Sequence, residues 1–471
     1  MIWANFLHFY QPPTQKPYWI KRITDEAYRP LVRGLKSRPH AKLSLNVNGV
    51  LLEQFERFDA RDVIDDLGAL LRRGQIELTG SAKYHPLLPF LPKEEAVRQI
   101  KLQEETLKKF FGDAWTRRGF FPPEMGFDMN VARTISELGY EWIVVDELSH
   151  PGAMKKTAPI DYSKIYAVEG LENLKIFFRE RWTSWVILSG QVGTGALLLA
   201  GLGDRLKRNE YLLTAMDGET FGHHRAGLEQ LLFEIYDSKI LKNVLISDLS
   251  ELFNGRGAVN PGPSTWALME KDLERKRPFA RWRDEENPIH AMQWQLTELA
   301  IQTVAGARKD ARGYGEARKK LDEALHSDQY WWASARPWWS IEMIERGAKE
   351  LHDAVHSAPG VSSKATQGAD ELYKSILFTA FDWQREGVVE ALASTEDEEI
   401  RERTDAGLPR LPKKEIDKMV ANLRKEISLL VKKEEYERAA QIRDRIRELK
   451  KYAADGKEAH FSAEGSRAWN P

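Results

Sequence analysis

Apolar and β-branched or aromatic residues fall in short runs at 2–8, 42–47, 75–79, 118–122, 141–146, 174–178 and 211–217. Each has the length of a buried strand rather than a helix. Between several of them the pattern turns amphipathic. Lys93 to Phe111 repeats Ala96, Ile100, Leu102 and Leu107, and Val131 to Gly139 ends on a glycine stop. Strands alternating with helices predict an α/β fold, a parallel sheet with outer helices closed as a barrel over residues 1–262. A further run, Val244-Leu-Ile-Ser247, reads either as an edge strand or as the start of a helix.

From about 265 to 395 the pattern is helical and rich in Trp, Gln and Glu, which predicts a helical subdomain over 263–394 that completes the cleft. Inside it, Glu270 to Asn287 is densely charged and carries Pro278, so a solvated excursion is expected in preference to a lid. Charge runs around Pro409 and Pro412 place a linker at 395–412. Ile416 to Leu430 and Tyr436 to Leu449 have helical period and predict a helical hairpin over 413–455, followed by a flexible tail at 456–471.

A chain of 471 residues with 42% hydrophobic content can bury a large core in two or three units. Its formal charge of -1 gives no global electrostatic reason to bind nucleic acid or an anionic membrane. With no cysteine, disulfides, thiolate nucleophiles and Cys-ligated zinc are excluded. The opening Met1 to His8 reads as a strand rather than a secretory leader, and no apolar run approaches the roughly 18 to 20 residues of a membrane helix, so a cytoplasmic location is expected. The 15 tryptophans, most of them between Trp182 and Trp339, suit the apolar faces of sugar rings, although any single one more often packs a core.

Polar motifs follow the runs. His8 and Gln11 come after the first, Glu77 to His85 surround the third, Glu124 follows the fourth and Asp217 the seventh. In a parallel barrel these positions converge on one rim. Two carboxylates there can act on a glycosidic bond, one protonating the leaving oxygen and one meeting charge at the anomeric carbon. Each also has a quieter reading: Glu124 can cap the next helix, and Asp217 before Gly218 can order a tight turn.

Four segments carry a resemblance: His8-Phe-Tyr-Gln-Pro12, Gly74-Gln-Ile-Glu-Leu-Thr-Gly80 with Tyr84-His-Pro86, Pro122-Pro-Glu124, and Asp217-Gly-Glu-Thr-Phe-Gly-His-His224. In their order they resemble the first four signature regions of glycoside hydrolase family 57, over roughly residues 1 to 340. The resemblance implies a (β/α)7 barrel followed by a helical region, and a retaining enzyme of the α-amylase or 4-α-glucanotransferase kind, with an α-glucan or maltooligosaccharide as substrate and no cofactor. It implies Glu124 as nucleophile and Asp217 as general acid/base. His326-Ser-Asp-Gln-Tyr-Trp-Trp332 resembles a fifth region, which makes Asp328 a ligand of sugar hydroxyls and Trp331 or Trp332 a stacking surface. Phe121 stands where many members carry tryptophan, a departure that bears on the central subsite. His8, Gln11, His85, Glu219 and His224 are expected to bind substrate, and Glu77 and Glu219 to bind hydroxyls or tune the acid pair.

A second resemblance, of Lys433 to Leu449 to the UVR motif, implies a hairpin that contacts a protein partner. A generic charged hairpin gives much the same pattern. Two other functions fit the residues less well. His8, His85 and Asp217 could ligate a metal in a carbohydrate deacetylase, but the paired Asp-Asp and the His-x-x-x-His spacing of that chemistry are missing from the barrel motifs, so no metal is expected. A non-catalytic glucan-binding or regulatory protein is the third reading.

Overall fold

The computed structural model describes residues 1–153, 159–190, 192–405, 412–432, 434 and 436–455. Its strands are β1 (Ile2–Phe9), β2 (Leu43–Val47), β3 (Ile76–Leu78), β4 (Gly119–Phe120), β5 (Trp142–Asp146), β6 (Lys164–Val168), β7 (Leu171–Arg179), β8 (Tyr211–Asp217), β9 (Lys242–Val244) and β10 (Gly255–Val259). Every one of the apolar runs read from the sequence forms a strand of the barrel. β1 lies parallel between β2 and β8, with β3 beyond β2, while β4, β5 and β7 form a second parallel set. The sets meet at two seams. Gly80 bridges to Phe120 beside β3, and the Glu180 amide donates to the Leu213 carbonyl at 2.8 Å beside β8. β9 pairs with the start of β1 before a helix at Ile246–Leu252, so the run at 244–247 is strand end and helix start together.

The two-residue period of strands sorts side chains between the barrel interior and the outer helices. Ala4 and Phe6 of β1 join Trp142, Val144, Phe177, Leu213 and Ala215 inside. Trp3, Leu7 and Phe9 pack outward against helices through Leu31, Leu51 and Leu231. Continuing the inward files of β1, β2, β5, β7 and β8 to their C-terminal ends brings polar residues to the mouth: His8, Asn46, Asp146, Arg179 and Asp217. Register places His8 beside both Asn46 and Asp217, and Asp146 beside Arg179.

Helices Pro288–Gly306, Tyr314–Ala324, Ile341–Ser357 and Ser363–Arg385 share a core of their own through Leu296, Leu321, Ile344, Leu351 and Ile376. Arg98 to Asp322 at 2.6 Å and Arg318 to Glu95 at 2.7 Å tie this unit to the barrel. The charged stretch 270–287 is solvated only in part: Lys271, Glu274, Arg275, Lys276 and Glu286 are exposed, but its later half turns inward. Arg281 is 3% exposed, paired with Asp272 and Glu396, and Trp282 beside it is fully buried. Opposite charges that neutralise one another can be packed away, which a count of charges along the chain does not register. The expected linker is also corrected in part: residues 395–405 continue the helix Val388–Asp405, as their helix-favouring composition allows, with Glu396 anchored on Arg281. The rest of that linker from 406 to 411, and the tail expected at 456–471, lie outside the described residues.

The hairpin forms from Lys413–Lys432 and Tyr436–Asp455. Ile416, Met419, Leu423, Ile442 and Leu449 make its core, and Leu197 and Ala226 of the barrel pack against it. Lys418 adds an ion pair to Glu234 at 3.0 Å. Among the described residues no helix is long and apolar enough to cross a membrane.

Candidate active site

β8 delivers Asp217 to the mouth, and the chain then turns back tightly over β1. A side chain at Gly218 would strike the Phe9 ring at 2.2 Å, and one at Gly222, where φ is +109°, would strike the Glu26 carbonyl oxygen at 2.0 Å. The glycines of the Asp217-to-His224 segment are therefore set by close backbone approach. Glu219 is buried in the turn after β8, where Gln11 donates to it at 3.1 Å and the Tyr28 hydroxyl donates as well. Burial and then the charge of Asp217 raise the Glu219 pKa. Asp217 is itself raised by burial, with the Arg179 guanidinium pulling the other way.

Glu124 stands in the turn after β4 with φ 59° and ψ 17°, a left-handed conformation costing about 1–2 kcal/mol for a residue with a side chain. The Trp266 indole N–H donates to its Oε2 at 2.7 Å, and the Trp266 amide donates to its carbonyl at 3.1 Å. On the other side Glu124 Oε1 lies 3.7 Å from His85 Nδ1. Burial first, and then the charge of Asp217, push the Glu124 carboxyl up to about 8, against the bond from Trp266. Each carboxyl thus stands in surroundings that resist its ionisation, and Glu124 feels the charge of Asp217.

Two neutral imidazoles line the space between. The His8 ring lies 4.9 Å from that of His85 and 4.6 Å from Phe121. Burial, and next the other imidazole, hold His8 well below the usual histidine range, and burial takes His85 down to about 4. Asn46 Oδ1 is 2.8 Å from His8 Nδ1, and Ser327 Oγ is 3.1 Å from His85 Nδ1; Nε2 of each ring is buried without a protein partner. With Nδ1 donating to Asn46, the His8 Nε2 is an acceptor suited to a hydroxyl. Opposite, Asp328 Oδ2 receives the Tyr10 hydroxyl at 2.5 Å and faces His326 Nδ1 at 3.1 Å. His326 Nε2 reaches Glu350 at 2.9 Å. Burial opposes charge on His326, but its bonds to Asp328 and Glu350 win and push it up to about 10. Against the same cost of burial, that imidazolium keeps Asp328 below the usual carboxylate range.

The structure therefore brings His8, His85, Glu124, Asp217 and Asp328 to one mouth, with Gln11 and Glu219 paired to each other beside it. Two predicted substrate contacts need correction. Glu77 registers with Ser44, which registers with Phe6, so it lies one inward row, roughly 6–7 Å, below His8. There Ser44 and Ser247 hydroxyls and the Ser247 amide occupy it. Phe121 has no exposed surface and backs His8 and Trp266 instead of meeting a sugar. Trp331 leans on Trp282 at 5.0 Å and Trp332 meets Trp338 edge-on at 5.8 Å, both half-buried. His224 fixes the turn through its amide, which donates to the Glu219 carbonyl at 2.8 Å, and burial holds its imidazole well below the usual histidine range. Sequence reasoning passed over Trp266, Tyr10, Arg179, Asp146, His326 and Glu350. Extending the inward files by two would have found Asp146 and Arg179; Trp266 left no such trace. Arg179 and Arg181 together neutralise the fully buried Asp146, at 3.0 and 2.8 Å.

Glu124 and Asp217 thus stand at the mouth of a parallel barrel with two neutral imidazoles beside them. The glycosyl hydrolase family 57 profile matches residues 6–257, and the UvrB/uvrC motif matches residues 417–452. The chain belongs to glycosyl hydrolase family 57 and carries a C-terminal UVR motif. It is 27% identical over 267 residues to an alpha-amylase of Pyrococcus horikoshii, covering 54% of this chain and 41% of that one. It is 29% identical over 354 residues to a 4-alpha-glucanotransferase of Thermococcus litoralis, covering 69% and 53%. The chain thus spans about half the length of these relatives. Among solved structures, the Thermococcus litoralis 4-alpha-glucanotransferase superposes with a TM-score of 0.59 at 19% identity, over 75% of this chain and 58% of that one. A branching enzyme of Thermococcus kodakaraensis superposes at 0.62 and 14% identity, over 81% and 96%. The fold is shared at that level.

Proposed function

We propose that this chain is a retaining glycosidase or transglycosylase acting on α-glucans, of the amylase or 4-α-glucanotransferase type. Its main support is that Glu124 and Asp217 share one mouth closely enough for the charge of one to raise the pKa of the other. Burial raises both groups, Glu124 to about 8 and Asp217 to about 7, so near neutral pH a proton is available at the site. A glycosidic oxygen is an acceptor, so a bound glucan draws that proton to Asp217, and the Trp266 N–H steadies the charge left on Glu124.

The free oxygen of Glu124 then attacks the anomeric carbon. The bond to the leaving oxygen breaks as Asp217 gives that oxygen its proton. In the second half Asp217 takes a proton from water or from a sugar hydroxyl, that oxygen bonds to the anomeric carbon, and Glu124 leaves as a carboxylate. Asp328, held ionised by His326, accepts from a sugar hydroxyl, and the unpartnered Nε2 atoms of His8 and His85 do likewise. The amylase and glucanotransferase relatives supply the substrate class. The deacetylase alternative has less behind it: among the described residues, His8, His85 and Asp217 are not a convergent ligand set.

Azide tests the roles. Glu124→Ala is expected to abolish turnover of maltooligosaccharides, and azide to restore part of it with a β-glycosyl azide as product. Asp217→Ala with azide should give the α-glycosyl azide instead. Undiminished turnover in either variant, or the opposite anomers, overturns the assignment. Longer products from maltoheptaose mean transfer, and shorter ones alone mean hydrolysis.

A further inference from the structure

Outside the barrel, two histidines and an aspartate converge. His352 and His356 stand one turn apart on the helix Ile341–Ser357, and Asp370 meets them from the helix Ser363–Arg385. Nε2 of His352 lies 2.7 Å and Nε2 of His356 3.0 Å from the same Asp370 oxygen, and the two rings stack with centroids 4.2 Å apart. One nitrogen or oxygen from each residue falls within 4.8 Å of the others.

The tautomer decides what this cluster can hold. His352 Nδ1 lies 3.1 Å from Asp353 Oδ1, the carboxylate partner that orients a metal-bound imidazole. With its Nδ1–H donated there, a neutral His352 turns the Nε2 lone pair toward the Asp370 carboxylate. Two acceptors at that distance require a cation between them or a second proton on the ring. We propose that His352, His356 and Asp370 form a binding site for a divalent zinc-like ion. Two imidazoles and one carboxylate are a zinc donor set, and they are a poor match to the all-oxygen shells of calcium and magnesium.

The fit needs little movement. Zinc bonds of about 2.0–2.1 Å in a tetrahedron set neighbouring ligand atoms about 3.3 Å apart, so the Asp370 oxygen moves away from the two nitrogens by about 0.3 to 0.6 Å. With His356 37% and Asp370 43% exposed, the fourth position opens to water. The ion joins the helices Ile341–Ser357 and Ser363–Arg385 of the helical unit.

Zinc chloride titrated into the metal-stripped full-length chain against a chromogenic chelator tests the site. One equivalent is expected to bind, and zinc at about a hundredfold excess over Kd to raise Tm by several degrees, with magnesium and calcium leaving it unchanged. His356→Ala and Asp370→Asn should each weaken binding at least about tenfold, and Asp353→Asn about tenfold. Circular dichroism melts in chelator check that each variant folds; His356 and Asp370 are both solvent-accessible, so both variants are expected to pass. No zinc bound at about 100 μM, or equal affinity in wild type, His356→Ala and Asp370→Asn, overturns the proposal.

Discussion

The indole N–H of Trp266 ends 2.7 Å from Glu124 Oε2, so a residue beyond the barrel's last strand completes the setting of a carboxyl held by the fourth. The bond favours the ionised form of Glu124 against burial and the nearby Asp217. Trp266→Phe removes the donor while keeping an aromatic ring against Phe121. A hydrogen bond to a charged group contributes about 1.5–3 kcal/mol, so kcat/KM is expected to fall roughly 10- to 150-fold. The acidic limb of its pH profile should move upward, because Glu124 then ionises less readily. A fall in rate with an unmoved limb would assign Trp266 to packing alone.

Stability should carry the same signature. A carboxyl raised in the fold favours the folded state below its ordinary value of 4.5, and that advantage is lost as pH rises through about 8. Glu124→Gln removes the titration and keeps the shape. Urea unfolding should find it more stable than wild type by on the order of 1–3 kcal/mol near pH 9, with the gap closing near pH 4.5. A gap independent of pH would mean that Glu124 ionises in the fold as it does in water.

The two carboxyls were legible because each follows an apolar run that could only be a strand end, and every such run became a strand. His8 and Asp217 were placed on one rim by that logic, and register makes them neighbours. The failures share a cause. Glu77 sits in the middle of its strand on the inward face, where burial raises its pKa and the Ser44 and Ser247 bonds offset part of that, and Ser247 comes from distant sequence. Phe121 reads like a subsite wall, but Trp266 and His8 cover it. Trp266 itself lies in a loop with no periodicity, and only folding brings it to Glu124. Position along a strand can be read from one dimension; partners that arrive from elsewhere cannot.

Glu350 offers a separate test of how Asp328 is held. His326, raised to about 10, stabilises the fold fully below its ordinary 6.5, and this contribution disappears as pH passes through about 10. Glu350→Gln takes away one of its carboxylates, which is 24% exposed, so the loss should be roughly 2 kcal/mol, below that of a fully buried pair. The deficit should be present at neutral pH and shrink above about pH 10. Because His326 then holds Asp328 less firmly, KM for maltooligosaccharides is expected to rise more than kcat falls. An unchanged KM would separate Glu350 from substrate binding.

The UVR hairpin is docked on the same chain that it follows. Leu423 is 6% exposed, and a Cβ on Gly227 would come within 2.9 Å of it, at the end of the turn that begins with Asp217. Leu423→Asp places a charge in this contact, at a cost of roughly 2–4 kcal/mol to docking. Hydrogen exchange should quicken in Lys413–Lys432 and in the facing helices Gly195–Leu202 and Glu229–Asp237, while the strand β1 stays protected. If the hairpin is accessory to turnover, kcat on maltoheptaose should stay within about twofold of wild type. A larger loss would make the hairpin a brace for the Asp217 turn, and unchanged exchange in all three helices would refute the docking itself.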